Sequence, residues 1–148
     1  MQQAYKYSVV YFLAFSLLLL LSSLLLFDDK MTLSINGILQ YYNGNADKFI
    51  IEKSWSTILK IILPHIFAFG LFLMVLLHFI LFTKHKKSQL FSKLTYALFI
   101  VAFLEIFSPY FIIMGFDFFA YIKLISFILL ELLILFTSWL LIASIFEF

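Results

Sequence analysis

Long apolar runs broken by short polar interruptions dominate the chain. Four runs carry almost no charge, residues 9–27, 61–83, 94–116 and 124–146, with 19, 23, 23 and 23 residues. A hydrocarbon core of about 30 Å takes about 20 helical residues to cross, so each run is long enough for one span. The first exceeds the roughly 7–15 apolar residues of a signal peptide. Leu26, Phe27, Asp28 and Asp29 also stand where small residues would mark cleavage, so the run reads as a retained helix. Connections 84–93 and 117–123 are short, which makes the second, third and fourth spans successive antiparallel neighbours. The expected fold is all-α: an integral membrane four-helix bundle, one transmembrane domain over residues 1–148, with a short interfacial helix in the first extramembrane loop, 28–60.

That loop has its own pattern. Leu33, Ile35, Ile38, Leu39 and Tyr42 fall near one face of a helix, with Thr32 or Ser34 as N-cap and Asn43-Gly44 as the stop. Such a helix would lie on the membrane surface. Trp55, Tyr41 and Tyr42 suit an interfacial aromatic belt.

Composition agrees and narrows the chemistry. The chain is 65% hydrophobic and 12% charged, against roughly 45–50% and about 25% in soluble domains. It has no Cys and no Arg, which excludes disulfides, thiolate metal sites, iron–sulfur clusters and covalent haem attachment, and removes the residue best suited to bidentate phosphate binding. Nucleic acid is not an expected partner; the lipid bilayer is. Lys84, Lys86, Lys87 and Lys93 crowd one ten-residue loop. That density favours a cytoplasmic 84–93 loop, cytoplasmic termini, and a periplasmic or extracellular 28–60 loop in a bacterial cytoplasmic membrane.

His65, His78 and His85 all belong to the second span or its end. His65 and His78 lie near opposite faces, about 20 Å apart along the axis, which resembles the two-haem layout of b-type cytochromes. Thirteen steps turn His78 some 140° from His65, so two haems stacked on one seam are disfavoured. A single haem b on His65 or His78 stays open if a second copy or another subunit supplies the other axial ligand. Gly70, Met74, His78, Leu81 and His85 form a stripe whose glycine would let a neighbouring backbone or a flat macrocycle approach closely, which favours His78 as a ligand. His65 shares its side with Ala68, Phe69, Phe72 and Phe79. His85, among three lysines, reads as a solvated interfacial residue.

Residues 41–85, with Tyr41-Tyr42-Asn43-Gly44, Pro64-His65-Ile66-Phe67-Ala68-Phe69-Gly70 and His78-Phe79, resemble a group of small, largely uncharacterised four-helix bacterial membrane proteins. The resemblance implies the fold and no particular reaction.

Glu105 and Glu131 are the other expensive residues, because an ionised carboxylate in hydrocarbon needs a partner, water or a proton. Ala102, Glu105, Ser108 and Pro109 share one helix face, and Pro109 removes the amide that would bond the Glu105 carbonyl. The freed oxygen is open to a cation, water or a side chain. Glu131 lies a third of the way into the last span, two turns from Ser138. With His65, the two carboxylates could accept a divalent cation or pass a proton. Lys60 and Lys123 are expected to snorkel to the surface.

No phosphate loop, nucleophile elbow or metalloprotease motif appears, so catalysis by the chain alone is not expected. Three functions fit. The first and favoured one is a haem-binding, electron-transferring subunit of a respiratory complex, with a quinone as candidate partner, because both histidines stand on one helix near opposite membrane faces. The second is a proton or divalent-cation pathway through Glu105 and Glu131. The third is an accessory or assembly subunit, and homo-oligomers suit the first and third alike.

Overall fold

A computed structural model describes residues 2–83 and 87–146. The order is α1 (Gln2–Met31), α2 (Ile35–Asn43), a 3₁₀ turn over Ala46–Lys48, α3 (Trp55–Ile80), α4 (Gln89–Ile113) and α5 (Phe118–Phe146). The helices α1, α3, α4 and α5 are each long and apolar enough to cross a membrane. The protein is an integral membrane four-helix bundle with a short extra helical segment between its first two spans.

The spanning helices start earlier in the chain than the apolar runs. Hydropathy marks the stretch immersed in hydrocarbon, whereas a helix continues into the interface until a cap stops it. Ser54 caps α3 by accepting from the Thr57 amide, and Ser88 caps α4 by accepting from the Phe91 amide. At the other end of α4, Gly115 takes φ +91° and the chain reverses within 114–117 into α5.

The interfacial helix forms where its pattern placed it. Ser34 is the N-cap, its hydroxyl accepting from the Gly37 amide, and Gly44 closes the helix at φ +83°. The chain turns from α1 into α2 through Thr32 and Leu33, both at positive φ. The reversal brings α2 hard against the end of α1: a Cβ on Gly37 would sit 2.0 Å from the Met31 carbonyl oxygen. Ile38 and Tyr42 are buried beneath α2 against α1, α4 and α5. Tyr42 is therefore a core residue and not a belt residue. Trp55 does stay at the periphery, its ring 4.6 Å from that of Tyr110, and Lys53 sits over the Tyr41 ring at 4.5 Å.

Pairing among the spans is uneven. The most extensive contact is α4 with α5, followed by α3 with α4, as the short connections require. In their most apolar windows α4 and α5 bury 44% and 39% of their residues, α1 and α3 only 22% and 17%. The first and third helices touch at the end remote from α2, where the Tyr5 hydroxyl donates to the Phe79 carbonyl at 2.8 Å and the Phe12 ring lies 5.5 Å from Phe72 and 5.3 Å from Phe79. Around them a core of Val9, Leu13, Leu76, Ile80, Leu98 and Leu141 fills that half of the bundle.

Candidate functional site

Toward α2 the bundle holds a cavity of about 390 Å³, walled by α1, α3 and α5, reached by Glu105 of α4, and roofed by Tyr41 and Tyr42. Its walls are mostly apolar, including Leu20, Phe27, Phe69, Phe72 and Phe127. Its polar groups are Ser23, Lys30, His65, Glu105, Lys123 and Glu131.

Glu105 and Lys123 form an ion pair between α4 and α5, with only 5% and 6% of each residue exposed. The pairing follows from the sequence around it. Eight residues of α4 separate Glu105 from the helix end at Ile113, and Lys123 is the sixth residue of α5. At about 1.5 Å per residue both lie about 8–12 Å below the α4–α5 turn. Ala102, Ser108 and Pro109 are buried with Glu105, so the small-residue face packs as its spacing required. Pro109 leaves the Glu105 carbonyl without its helical donor, and the Lys123 ammonium fills that role at 3.0 Å while also donating to Glu105 Oε1. Lys123 thus does not snorkel. A carboxylate and a prolinated carbonyl one helix away offer it two acceptors, which interfacial water offers at lower cost only if the side chain can reach it. Lys60, by contrast, is exposed.

Glu131 is half-buried, and the Ser23 hydroxyl of α1 donates to its Oε1. Ser23 also lies 2.9 Å from the Leu20 carbonyl, so one hydroxyl hydrogen is contested between two acceptors. No cation pairs with Glu131 among the described residues. Ser138, on the same side of α5, is buried with its Oγ unpartnered.

The histidines part company. His65 lines the cavity at its exposed margin, its Nδ1 hydrogen-bonded to the Ile61 carbonyl at 2.6 Å, which makes Nε2 the nitrogen available to a ligand. His78 is exposed elsewhere on α3, its ring 5.1 Å from that of Phe82. Beside Gly70 there is open space within 4 Å, so no helix of the same chain uses that glycine for close approach. His85 falls outside the described residues. Among the described residues no three His, Asp or Glu side chains lie close enough to hold a metal ion.

Burial moves one group outside the spans: the Tyr42 phenol is pushed well above the ordinary tyrosine range, chiefly by loss of water and further by the negative charge of Glu105. The sequence reading missed Lys123 and Ser23 as cavity residues. Pro109 carried a signal for the lysine, since it announced a carbonyl in need of a donor. Ser23 gave none, because a serine in a leucine-rich helix satisfies its own hydroxyl on a preceding carbonyl, as Ser16 and Ser22 do.

The chain belongs to the Aq_1264_TM family, a transmembrane helical domain, whose model matches residues 32–147. The match takes in α2 to α5, and with them His65, Glu105, Lys123 and Glu131; α1, with Ser23, precedes it. No curated protein and no solved structure is significantly similar to the chain.

Proposed function

We propose that the protein is a small membrane subunit that binds and releases protons at this cavity, with Glu131 as the group that gains and loses the proton. The observation that carries the reading is the difference between its two carboxylates. Glu105 is held by an ammonium, whereas Glu131, in the same cavity, has a serine hydroxyl and no cation among the described residues. An intramembrane carboxylate without a cation is costly, and a proton removes that cost. His65 stands at the margin of the cavity as the second group able to exchange a proton. A proton needs no three-ligand cluster, and none is formed among the described residues.

Infrared difference spectra of the protein in liposomes, taken across about pH 4–9, test this, the window bracketing the carboxyl and imidazole ranges. The expected result is a protonated-carboxyl band that titrates, shifts in Ser23→Ala and is lost in Glu131→Gln. Absence of a titrating band, or one that survives Glu131→Gln, would overturn the assignment.

A second reading keeps the haem. His65 has its Nδ1 satisfied by the Ile61 carbonyl and its Nε2 unused, the arrangement of an oriented axial ligand, beside an aromatic cavity wall. In that reading the other ligand comes from a second copy or another subunit, because His78 lies about 20 Å further along the same helix. A reduced-minus-oxidised visible spectrum of protein expressed with ample haem decides it: a b-type signal lost in His65→Ala supports it, and a colourless protein from cells holding its partners removes it.

A further inference from the structure

The Glu105–Lys123 pair, which lines the cavity, leaves one carboxylate oxygen without a donor. Glu105 Oε1 and the Glu105 carbonyl both accept from Lys123, but Oε2, on a residue that is 5% exposed, has no partner. The ammonium has three hydrogens and these acceptors use two. A buried carboxylate oxygen left without a donor is unfavourable, and a site that combines this with an unused N–H suits a hydroxyl, which donates and accepts at once. The surroundings are aromatic: Phe27 and Phe127 stack with ring centres 4.0 Å apart, and Phe69 and Tyr42 complete the wall.

The way in is lateral. The helices α1 and α3 touch at Phe12 and Phe72, and between that contact and α2 both line the cavity. Leu19 and Leu26, 51% and 60% exposed, border the opening on one side, and exposed Ala68 and His65 border it on the other. A molecule dissolved in the bilayer meets this opening directly. A helix of another chain, which must run the full membrane thickness, meets the roof made by Tyr41 and Tyr42 at one end and the Phe12–Phe72 contact at the other. The volume of about 390 Å³ lies within the roughly 300–1,000 Å³ of small-molecule sites.

We infer that this cavity binds a membrane-dissolved hydroxylated aromatic molecule of the quinol type, its hydroxyl on the Glu105–Lys123 pair and its ring among the phenylalanines. The inference rests on the proton-exchange reading for the location of the site, and adds the class of molecule that the cavity binds. It is tested on the purified full chain in detergent by calorimetric titration with a decyl-benzoquinol, the matching decyl-benzoquinone, decylbenzene and 1-dodecanol. The quinol is expected to bind about tenfold or more tighter than decylbenzene, as one charge-assisted hydrogen bond allows, and tighter than the quinone, which lacks the donor. Ala68→Trp, on α3 at the cavity's exposed margin, should weaken quinol binding about tenfold. The double variant Glu105→Leu/Lys123→Met should bind quinol and decylbenzene alike.

Equal affinity for quinol and decylbenzene in the wild type, or an unaltered quinol affinity in Ala68→Trp, would overturn the inference. Dodecanol binding as tightly as the quinol would overturn the aromatic class. A dimer broken by Ala68→Trp, with no quinol selectivity, would put a second copy at the opening instead. Quinol selectivity without a titrating carboxyl band would remove the proton reading alone, and a titrating band without selectivity would remove only the ligand.

Discussion

The two halves of the bundle are built from the same four helices and solve opposite problems. Remote from α2, aromatic and aliphatic side chains meet directly: Tyr5 and Phe12 of α1 close on Phe72 and Phe79 of α3 over Leu76, Leu98 and Leu141. Near α2 the first and third helices both line a cavity that receives a buried ion pair, a serine-bonded carboxyl and a histidine. In lipid there is little hydrophobic drive to bring helices together, so packing and hydrogen bonds decide where they touch. The first half spends its sequence on packing. The second packs Ile38, Ile58 and Ile112 under α2 and leaves a cavity beside them, where the ion pair and Glu131 lie.

The largest expected effect breaks the polar half. Glu105→Ala leaves the Lys123 ammonium buried without its carboxylate and should cost about 3–5 kcal/mol, whereas Glu105→Leu/Lys123→Met should fall within about 1 kcal/mol of wild type or above it. Reversible unfolding in mixed micelles measures both. A single variant as stable as the double would mean that the pair is open to water. Next comes the closed half: Leu98→Ala, at a fully buried position, should cost about 2 kcal/mol or more from lost packing and the void left behind. A cost near zero would show that this half is as loosely filled as the other.

The smallest effect at neutral pH concerns the roof. Because the Tyr42 phenol is raised above its unfolded value of about 10, its contribution to stability is complete below that pH and declines above it. The decline can reach about 1.4 kcal/mol per pH unit, up to the folded-state value. Tyr42→Phe should flatten this alkaline loss while changing stability at pH 7 by less than about 1 kcal/mol. An alkaline slope identical in the two proteins would show that Tyr42 is wet.

Much of the architecture was legible because the bilayer imposes length. A run of apolar residues such as 94–116 can do little else than span, and Ser34 with Gly44 bounded α2 through local backbone chemistry alone. Glu105 and Glu131 announced themselves by the cost of a carboxylate in hydrocarbon, and Pro109 by the carbonyl it strands. What local pattern could not carry was which helix answers each demand. Lys123 has an interfacial address in the sequence and an interior one in the fold, because the partner that keeps it inside belongs to α4. Ser23 reads as one more leucine-helix serine until α1 is set beside α5.

The sequence by itself determined four spans, the interfacial helix and the residues whose burial demands a partner, since these follow from hydrophobic length, capping and desolvation within a few turns of chain. Only the tertiary structure decided that His65 and not His78 reaches the cavity, that Lys123 answers Glu105 while Ser23 answers Glu131, and that α1 and α3 both line a cavity below α2. Those are contacts between helices far apart in the chain, and in lipid nothing in the hydrophobic pattern of one helix specifies which face of another it will meet.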